Sequence, residues 1–331
     1  MKIRVYGVQP DELPVYEKAK AQYGFTFDFA SAPLSEATVD EVHDCEGLVL
    51  LTNCKVNEAV AKTLSERGVK YLATRSAGSD HIDYDAVVKY GMHCANVPAY
   101  APEAIAEHTI MLALMALRHE KKSFQKVASG DFTMQGLKGR QLDHLTAGVF
   151  GTGRIGRCTM KLLNGFGTKV LGWDPYPNAE AEKLCTYVEP EQLYQESDII
   201  FLHCPLTDDS YRMINDETLA KMKPGAVLIN SARGGLVDQA AVLRALESGK
   251  LNAFAFDVYE TESAFVRKQI PLDQLNDPVF QALLARDDAI YTPHVAFYTD
   301  QAIYNMIEVT LENLKEYETT GACRNEVKPF A

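Results

Sequence analysis

An α/β fold built on parallel sheets is what the 331-residue sequence predicts, and three observations predict it. Apolar runs of strand length alternate with helical patterns along the chain, the signature of parallel architecture. A glycine-rich turn, Gly151-Thr-Gly153-Arg-Ile-Gly156, joins one such run to a helical pattern. Polar and ionisable residues then recur just after the apolar runs of the second half, at the carboxyl strand ends where open α/β sheets bind ligands.

Taken in order, the chain opens on a strand over 3–8, with no basic-then-apolar signal segment before it, so the mature protein is expected to begin there. Strands over 47–51, 71–74 and 93–96, with helices such as 57–67 between them, complete a small α/β domain. In Val97-Pro98-Ala99-Tyr100-Ala101-Pro102 two prolines stiffen the chain and disfavour helix until Pro102, itself a good first-turn residue. This reads as a domain crossing. The helix that follows, over 102–121, is apolar on nearly every face in its middle and needs cover on several sides, for which another subunit is one candidate. Its most apolar stretch, 110–117, is far short of the roughly 20 residues that cross a bilayer. The basic run Arg118-His119-Glu120-Lys121-Lys122 falls where cations suit the negative end of the helix dipole and reads as a solvated terminus. Beyond it come a strand before Gly151, a helix over 154–164, a strand over 169–174, and strands over 198–204, 226–231, 253–258 and 289–292, which give one doubly wound sheet. A last helix, over 300–317, carries a pattern that leaves its packing partner open. Nothing repeats at a fixed period.

The glycine turn is a dinucleotide-binding fingerprint because it has a strand before it, a helix after it and an acid at the end of the next strand. Gly151 permits the tight turn, Gly153 lets the backbone approach a pyrophosphate, and Gly156 lets the helix pack closely on the sheet. The N–H groups of the helix's first turn face the phosphates. Asp174, eighteen residues past Gly156, would accept hydrogen bonds from both ribose hydroxyls and repel the extra phosphate of NADP, so NAD is the expected cofactor.

A hydrophobic content of 47% with 24% charged residues describes a globular chain of ordinary composition. The net charge of −12 argues against a nucleic-acid partner, which would need clustered cations. Seven cysteines (Cys45, Cys54, Cys94, Cys158, Cys185, Cys204 and Cys323) are scattered without paired spacing, which suits reduced thiols in a cytoplasm. The histidines are equally dispersed, and no metal site is expected.

Three later strand ends carry the chemistry. They are Asn230-Ser231-Ala232-Arg233-Gly234-Gly235, Asp257-Val258-Tyr259-Glu260-Thr261-Glu262 and Tyr291-Thr292-Pro293-His294. Together they supply a guanidinium that can hold a carboxylate by a two-pronged contact, a carboxylate that can orient an imidazole, and an imidazole that exchanges a proton near neutral pH. Beside a nicotinamide, this set suits reduction of a 2-keto acid, with hydride passing to the keto carbon while His294 protonates the oxygen.

The combination of the glycine turn with Ser231-Ala-Arg-Gly-Gly-Leu-Val-Asp238, Asp257-Val-Tyr-Glu-Thr-Glu262 and Thr292-Pro-His294 resembles the D-2-hydroxyacid dehydrogenase family, and within it the D-lactate dehydrogenase branch. Ser76-Ala77-Gly78-Ser79-Asp80-His-Ile-Asp83, Asn96-Val-Pro-Ala-Tyr100-Ala-Pro-Glu-Ala-Ile-Ala-Glu107 and Phe297-Tyr298-Thr299 extend the likeness over essentially the whole chain. The resemblance implies two doubly wound parallel-sheet domains, Rossmann-like and flavodoxin-like, with a cleft between them. Residues 1–99 plus 300–331 would form the substrate-binding domain and 100–299 the NAD-binding domain, with hinges near Tyr100 and Thr299. It implies that His294 is the proton donor, that Glu262 hydrogen-bonds it, and that Arg233 binds the substrate carboxylate and polarises the keto group. Backbone N–H groups near Ala77 and Gly78 would contact that carboxylate too. Cofactor contacts carry over to Arg154, Ile155, Asp174, Cys204, Pro205, Ser231, Ala232 and Asp257, beside Gly151, Gly153 and Gly156.

Many relatives have proline directly after the glutamate, whereas Ser263 follows Glu262 here, a feature of the lactate-type branch. Glu260 is a near rival, and Glu262 is preferred because it alone matches the family's spacing from Asp257. Leu51, Tyr100 and Phe297 would line the side-chain pocket. An apolar pocket favours pyruvate or a larger apolar 2-keto acid over a dicarboxylate, whose second charge needs a cation. Related 2-hydroxyglutarate dehydrogenases use an arginine near the Leu51 segment, where this chain has Leu51-Thr52-Asn53 with Lys55 nearby. The expected reaction is pyruvate to D-lactate. Alternatives are 2-hydroxyisocaproate, phenyllactate or (R)-2-hydroxyglutarate dehydrogenases, or an NAD(H)-sensing corepressor-like protein on the same fold. A cytoplasmic homodimer with no membrane partner is expected.

Overall fold

A computed structural model describes residues 1–327, and the chain divides into two compact units, Met1–Ala101 with Tyr298–Ala331, and Pro102–Phe297. Residues 328–331, part of the span expected in the substrate-binding domain, lie outside the described residues.

In the first unit five parallel strands, β1 (Lys2–Tyr6), β2 (Thr26–Ala30), β3 (Gly47–Leu50), β4 (Tyr71–Thr74) and β5 (His93–Ala95), run in the order β2-β1-β3-β4-β5. The opening strand stops at Tyr6, two residues short of the expected end, because Gly7 takes a left-handed backbone with φ +65°. Edge strand β2 and the Leu13–Tyr23 helix escape a reading by apolar pattern. Only Ala30 of β2 is buried, and only Tyr16 and Ala19 of the helix. Tyr6, Leu48, Leu50, Val60, Leu64 and Leu72 form the heart of one core. The Asp300–Thr320 helix belongs to this unit and packs on β4 and the Leu13–Tyr23 helix, with the Tyr317 ring stacked 5.0 Å from Tyr71. At the carboxyl ends of β1 and β4 the buried Arg75 guanidinium lies 2.8 Å from the Glu12 carboxylate and donates to the carbonyls of Tyr6 and Gly7, both at 3.3 Å.

The second unit holds seven parallel strands, β6 (Thr146–Phe150), β7 (Lys169–Trp173), β8 (Thr186–Tyr187), β9 (Ile199–Leu202), β10 (Ala226–Asn230), β11 (Leu251–Phe256) and β12 (Ala289–Tyr291). Their order, β12-β11-β10-β9-β6-β7-β8, reverses between β6 and β9, which is where such sheets open a ligand crevice. Separate cores cover its two faces, one around Phe254, Phe256 and Leu228, the other around Val149, Phe201 and Ile229, as parallel strands require.

The helix expected over 102–121 is two helices. Pro102–Leu117 ends, His119 turns left-handed at φ +55°, and Glu120–Ala128 follows. The basic run is therefore not a simple solvated terminus. Lys121 turns inward, its ammonium donating to the carbonyls of Leu284, Arg286 and Ala289 at 2.8, 2.6 and 2.9 Å, and partial burial lowers its pKa. Three carbonyl acceptors outweigh the dipole of one helix end, because a charge-assisted hydrogen bond is worth about 1.5–3 kcal/mol.

His203, directly after β9, pairs through Nε2 with Thr159 Oγ1 at 2.9 Å, and burial pushes its pKa down to about 4 from 6.5. Above pH 6.5 the ring is neutral whether folded or not. As pH falls from 6.5 toward 4 the unfolded chain takes up a proton that the folded chain refuses, so stability is lost across that window. We expect the gap in urea midpoint between pH 7 and pH 4.5 to narrow in His203→Gln; an equal gap in both proteins assigns the acid sensitivity elsewhere.

Candidate active site

At the β6 turn three glycines serve two different ends. Gly151 has φ +92°, and a Cβ there would lie 2.5 Å from the His203 backbone. One on Gly156 would meet the Gly151 carbonyl at 2.0 Å. Both are dictated by the chain's own packing. A Cβ on Gly153 would meet nothing within 4 Å, and no side chain caps the helix that starts there, so backbone and helix end are presented to an approaching anion. Arg154 is exposed and Ile155 partly so.

Asp174 follows β7. Its Oδ2 accepts from the Thr152 N–H at 2.7 Å and hydroxyl at 3.2 Å, and its Oδ1 accepts from the Tyr176 N–H at 2.9 Å. A carboxylate offers about four acceptor sites, so this one is held in place with capacity left for a ribose. Tyr187 and Asn178 extend the support, the Tyr187 hydroxyl 2.6 Å from Thr152 Oγ1 and the Asn178 amide donating to the Thr152 carbonyl at 3.2 Å. Cys204 is buried just after β9, where burial raises its thiol pKa to about 11, and Pro205 beside it is exposed. The residues at β6, β7 and β9 thus fit a dinucleotide with an unphosphorylated ribose.

Because β10, β11 and β12 are adjacent and parallel, the segments after them leave the same edge of the sheet. Arg233 sits on the first, beside Ser231 and Ala232. Asn230, almost fully buried, shapes that turn by donating to the Arg233 carbonyl at 2.9 Å and accepting from Ala232 N–H at 3.1 Å. Gly234 brings the turn against the next one, since a Cβ there would be 2.1 Å from the Tyr259 carbonyl carbon. On the second segment Glu262 accepts from the Tyr259 N–H at 2.8 Å through Oε2 and pairs with His294 Nδ1 at 2.6 Å through Oε1. Glu260 is engaged elsewhere, with the Tyr211 hydroxyl at 2.8 Å and Arg212 at 3.2 Å. With Nδ1–H given to the carboxylate, Nε2 is left as the nitrogen able to hand a proton to a ligand. The ring of Phe297 stands edge-on to His294 with centroids 6.4 Å apart.

His294 has a left-handed backbone, φ +55°, and its N–H donates to the carbonyls of Asp257 and Thr292 at 2.8 and 2.9 Å. The Asp257 carboxylate, 1% exposed, accepts from the Thr292 hydroxyl at 2.5 Å and from the N–H groups of Val295 and Ala296 at 3.0 and 2.9 Å. Asp257 was expected among the cofactor contacts, and its carboxylate is bonded into the segment that carries His294. That role was invisible in the motif, as were those of Asn230 and Thr292, which only the three-dimensional register assembles.

Leu51, Ala77, Gly78 and Tyr100 all belong to the first unit. Leu51 is buried after β3, its Cδ1 against the face of Gly7. The Ala77–Gly78 turn is braced by its carbonyls, Ala77 accepting from the Asn96 amide at 2.9 Å and Gly78 from the Ser76 hydroxyl at 2.6 Å. The Tyr100 carbonyl accepts from the Asn305 side chain at 2.5 Å.

Residues 110–296 match the D-isomer specific 2-hydroxyacid dehydrogenase family, NAD binding domain. An aromatic 2-oxoacid reductase of Clostridium sporogenes is 39% identical over 327 residues, 98% of this chain and 99% of its own. The D-lactate dehydrogenase of Escherichia coli strain K12 is 36% identical over 328 residues, 99% of this chain and 100% of its own. Among solved structures, a D-2-hydroxyisocaproate dehydrogenase shares the fold with a TM-score of 0.91 at 35% identity, covering 99% of this chain and all of its own.

With Asp174 held by Thr152 and Tyr176, its loss would remove both the expected ribose acceptor and the charge expected to repel a 2′-phosphate. Fluorescence titration of Asp174→Ala should show weaker NADH binding and a narrowed preference over NADPH; an unchanged preference means that another group reads the ribose.

Proposed function

The chain belongs to the D-isomer specific 2-hydroxyacid dehydrogenase family, and on that footing we propose that it reduces pyruvate to D-lactate with His294, Glu262 and Arg233 as the working residues. It is an NAD-dependent enzyme. NADH, when bound at the β6 turn, supplies the hydride. His294 gives its Nε2 proton to the substrate's keto oxygen, and the observation that carries this role is the 2.6 Å pairing of its other nitrogen with Glu262. That carboxylate fixes the tautomer and stabilises the imidazolium that the reverse reaction forms. Arg233 holds the substrate carboxylate in two-pronged fashion and polarises the keto group. Ala77, Gly78, Leu51, Tyr100 and Phe297 are assigned to the substrate by the family resemblance.

The side-chain pocket assignment is apolar, which supports pyruvate or a larger apolar 2-oxo acid. A second reading, an aromatic 2-oxo acid, is favoured by the 39% identity to the Clostridium sporogenes aromatic 2-oxoacid reductase. A dicarboxylate is disfavoured, because Leu51 is buried and the nearby cation, Lys55, is exposed.

We further propose a cytoplasmic homodimer. The scattered cysteines, all free, support the compartment. Among the described residues no helix is long and apolar enough to cross a membrane. The dimer is supported by Ile110, Met111, Leu114, Leu162 and Phe166, which line an apolar hollow beside the Pro102–Leu117 helix, and by Phe132 and Met134, 81% and 88% exposed.

Three measurements test these readings. His294→Ala should lower kcat by roughly 10²–10⁴-fold with NADH binding nearly intact, while Arg233→Ala should also raise the keto-acid KM. Near-normal turnover in the first variant removes His294 from the chemistry. A parallel assay with pyruvate, 2-ketoisocaproate, phenylpyruvate and 2-oxoglutarate should rank pyruvate first by kcat/KM and yield the D product; a clear win for phenylpyruvate moves the assignment to the aromatic reading. Light scattering should give twice the chain mass, and monomer for a Phe132→Asp, Met134→Asp double variant; a monomeric parent rejects the dimer.

A further inference from the structure

Two adjacent residues of the Pro102–Leu117 helix, His108 and Thr109, reach the segments that carry His294 and Arg233. His108 Nε2 lies 2.9 Å from Thr292 Oγ1 and 3.5 Å from the Asp257 carboxylate. Thr292 spends its hydroxyl proton on Asp257 Oδ1 at 2.5 Å, so its oxygen is the acceptor and His108 must donate from Nε2–H. The chain His108, Thr292, Asp257 then ends on the backbone of the next turn. Asp257 takes the N–H groups of Val295 and Ala296 through its side chain and that of His294 through its carbonyl. Every link is buried or nearly so, with the His108 side chain 14% and that of Asp257 1% exposed.

Thr109 does the same for the neighbouring segment. Fully buried, it gives its hydroxyl proton to the Ile105 carbonyl at 2.7 Å. Its oxygen is therefore the acceptor for Ser231 Oγ at 2.6 Å, and Ser231 stands two residues before Arg233. Consecutive helical positions are about 100° apart, so one rigid helix addresses two separate strand ends at one level.

We propose that His108 and Thr109 are positioning residues, a two-pronged brace that sets the His294 segment and the Arg233 segment in register with each other. The inference rests on the assignment of His294 and Arg233 made above. The left-handed backbone at His294 gives the brace its purpose, since a non-glycine residue held in that region persists only where its surroundings over-determine it. Proton donation requires an imidazole placed to a fraction of an ångström, and misplacement by about 1 Å can cost on the order of 100-fold in rate.

The two prongs predict different kinetic signatures. His108→Phe should lower kcat about 10- to 100-fold with little change in the keto-acid KM, in NADH affinity or in Tm. His108→Gln, whose amide N–H can replace Nε2–H, should recover most of that loss. Thr109→Val, close to isosteric, should act mainly on the other segment and raise the keto-acid KM. Turnover in His108→Phe within about twofold of the parent, against the roughly 100-fold that misplacement can cost, overturns the proposal. So does a loss that His108→Gln leaves unrelieved. Should His108→Phe fail to fold, Thr109→Val decides: an unchanged KM overturns the brace and a raised KM supports it. His294→Ala, assayed alongside, separates the two inferences, because its retained activity refutes the catalytic assignment, whereas an inactive His294→Ala beside a fully active His108→Phe refutes the brace alone.

Discussion

Everything chemical in this molecule depends on one constraint, that parallel strands must be covered on both faces and can be joined only by crossovers that run back over the sheet. The crossovers bury the faces and leave the carboxyl edge as the place where chain can emerge without leaving polar backbone unpaired. Seven strands in one direction therefore deliver seven carboxyl ends to one rim of the second unit. The glycine turn, Asp174, Cys204, Arg233, Glu262 and His294 all sit there for the same geometric reason.

Within that rim the decisive group is a carboxylate that has no need to touch substrate. Asp257, buried after β11, binds the hydroxyl of Thr292 and two backbone N–H groups of the following turn. A buried carboxylate without partners would cost several kcal/mol, so the turn must close around it. Closing the turn puts His294 into its left-handed conformation and within reach of Glu262. The pair at 2.6 Å is thus tied to the closure of that turn. The first unit repeats the theme with Arg75, whose burial obliges Glu12 and the carbonyls of Tyr6 and Gly7 to gather at the ends of β1 and β4.

The architecture was readable from sequence where strands were buried on both faces, as with Ile199–Leu202 and Ala226–Asn230, apolar at every position but the closing asparagine, which admit one interpretation. It was not readable at Thr26–Ala30, an edge strand with one buried residue, nor at the break after Leu117, where three distant carbonyls around Lys121 override local helical preference. At the candidate site the motifs exposed the groups proposed to act on ligands, because guanidinium, carboxylate and imidazole are rare directly after apolar runs. They hid the groups that support them. His108 lies within an apolar helix and Thr292 beside a proline, and neither spacing nor composition says that they meet. Family spacing favoured Glu262 over Glu260, and the partners give the physical reason, since Tyr211 and Arg212 claim Glu260 from a segment about fifty residues away.

The three glycines of the β6 turn divide according to who forbids a side chain. At Gly151 and Gly156 the chain itself does, through backbone atoms 2.5 and 2.0 Å from where a Cβ would sit. At Gly153 the space is open, and only a visiting molecule has reason to object. Selection on folding and selection on ligand affinity are therefore written on different atoms of one short turn. A methyl group at the middle glycine meets no atom of the chain, so any loss it caused would fall on the proposed cofactor seat and not on the fold, a clean separation of structure from service in a segment usually treated as a single motif.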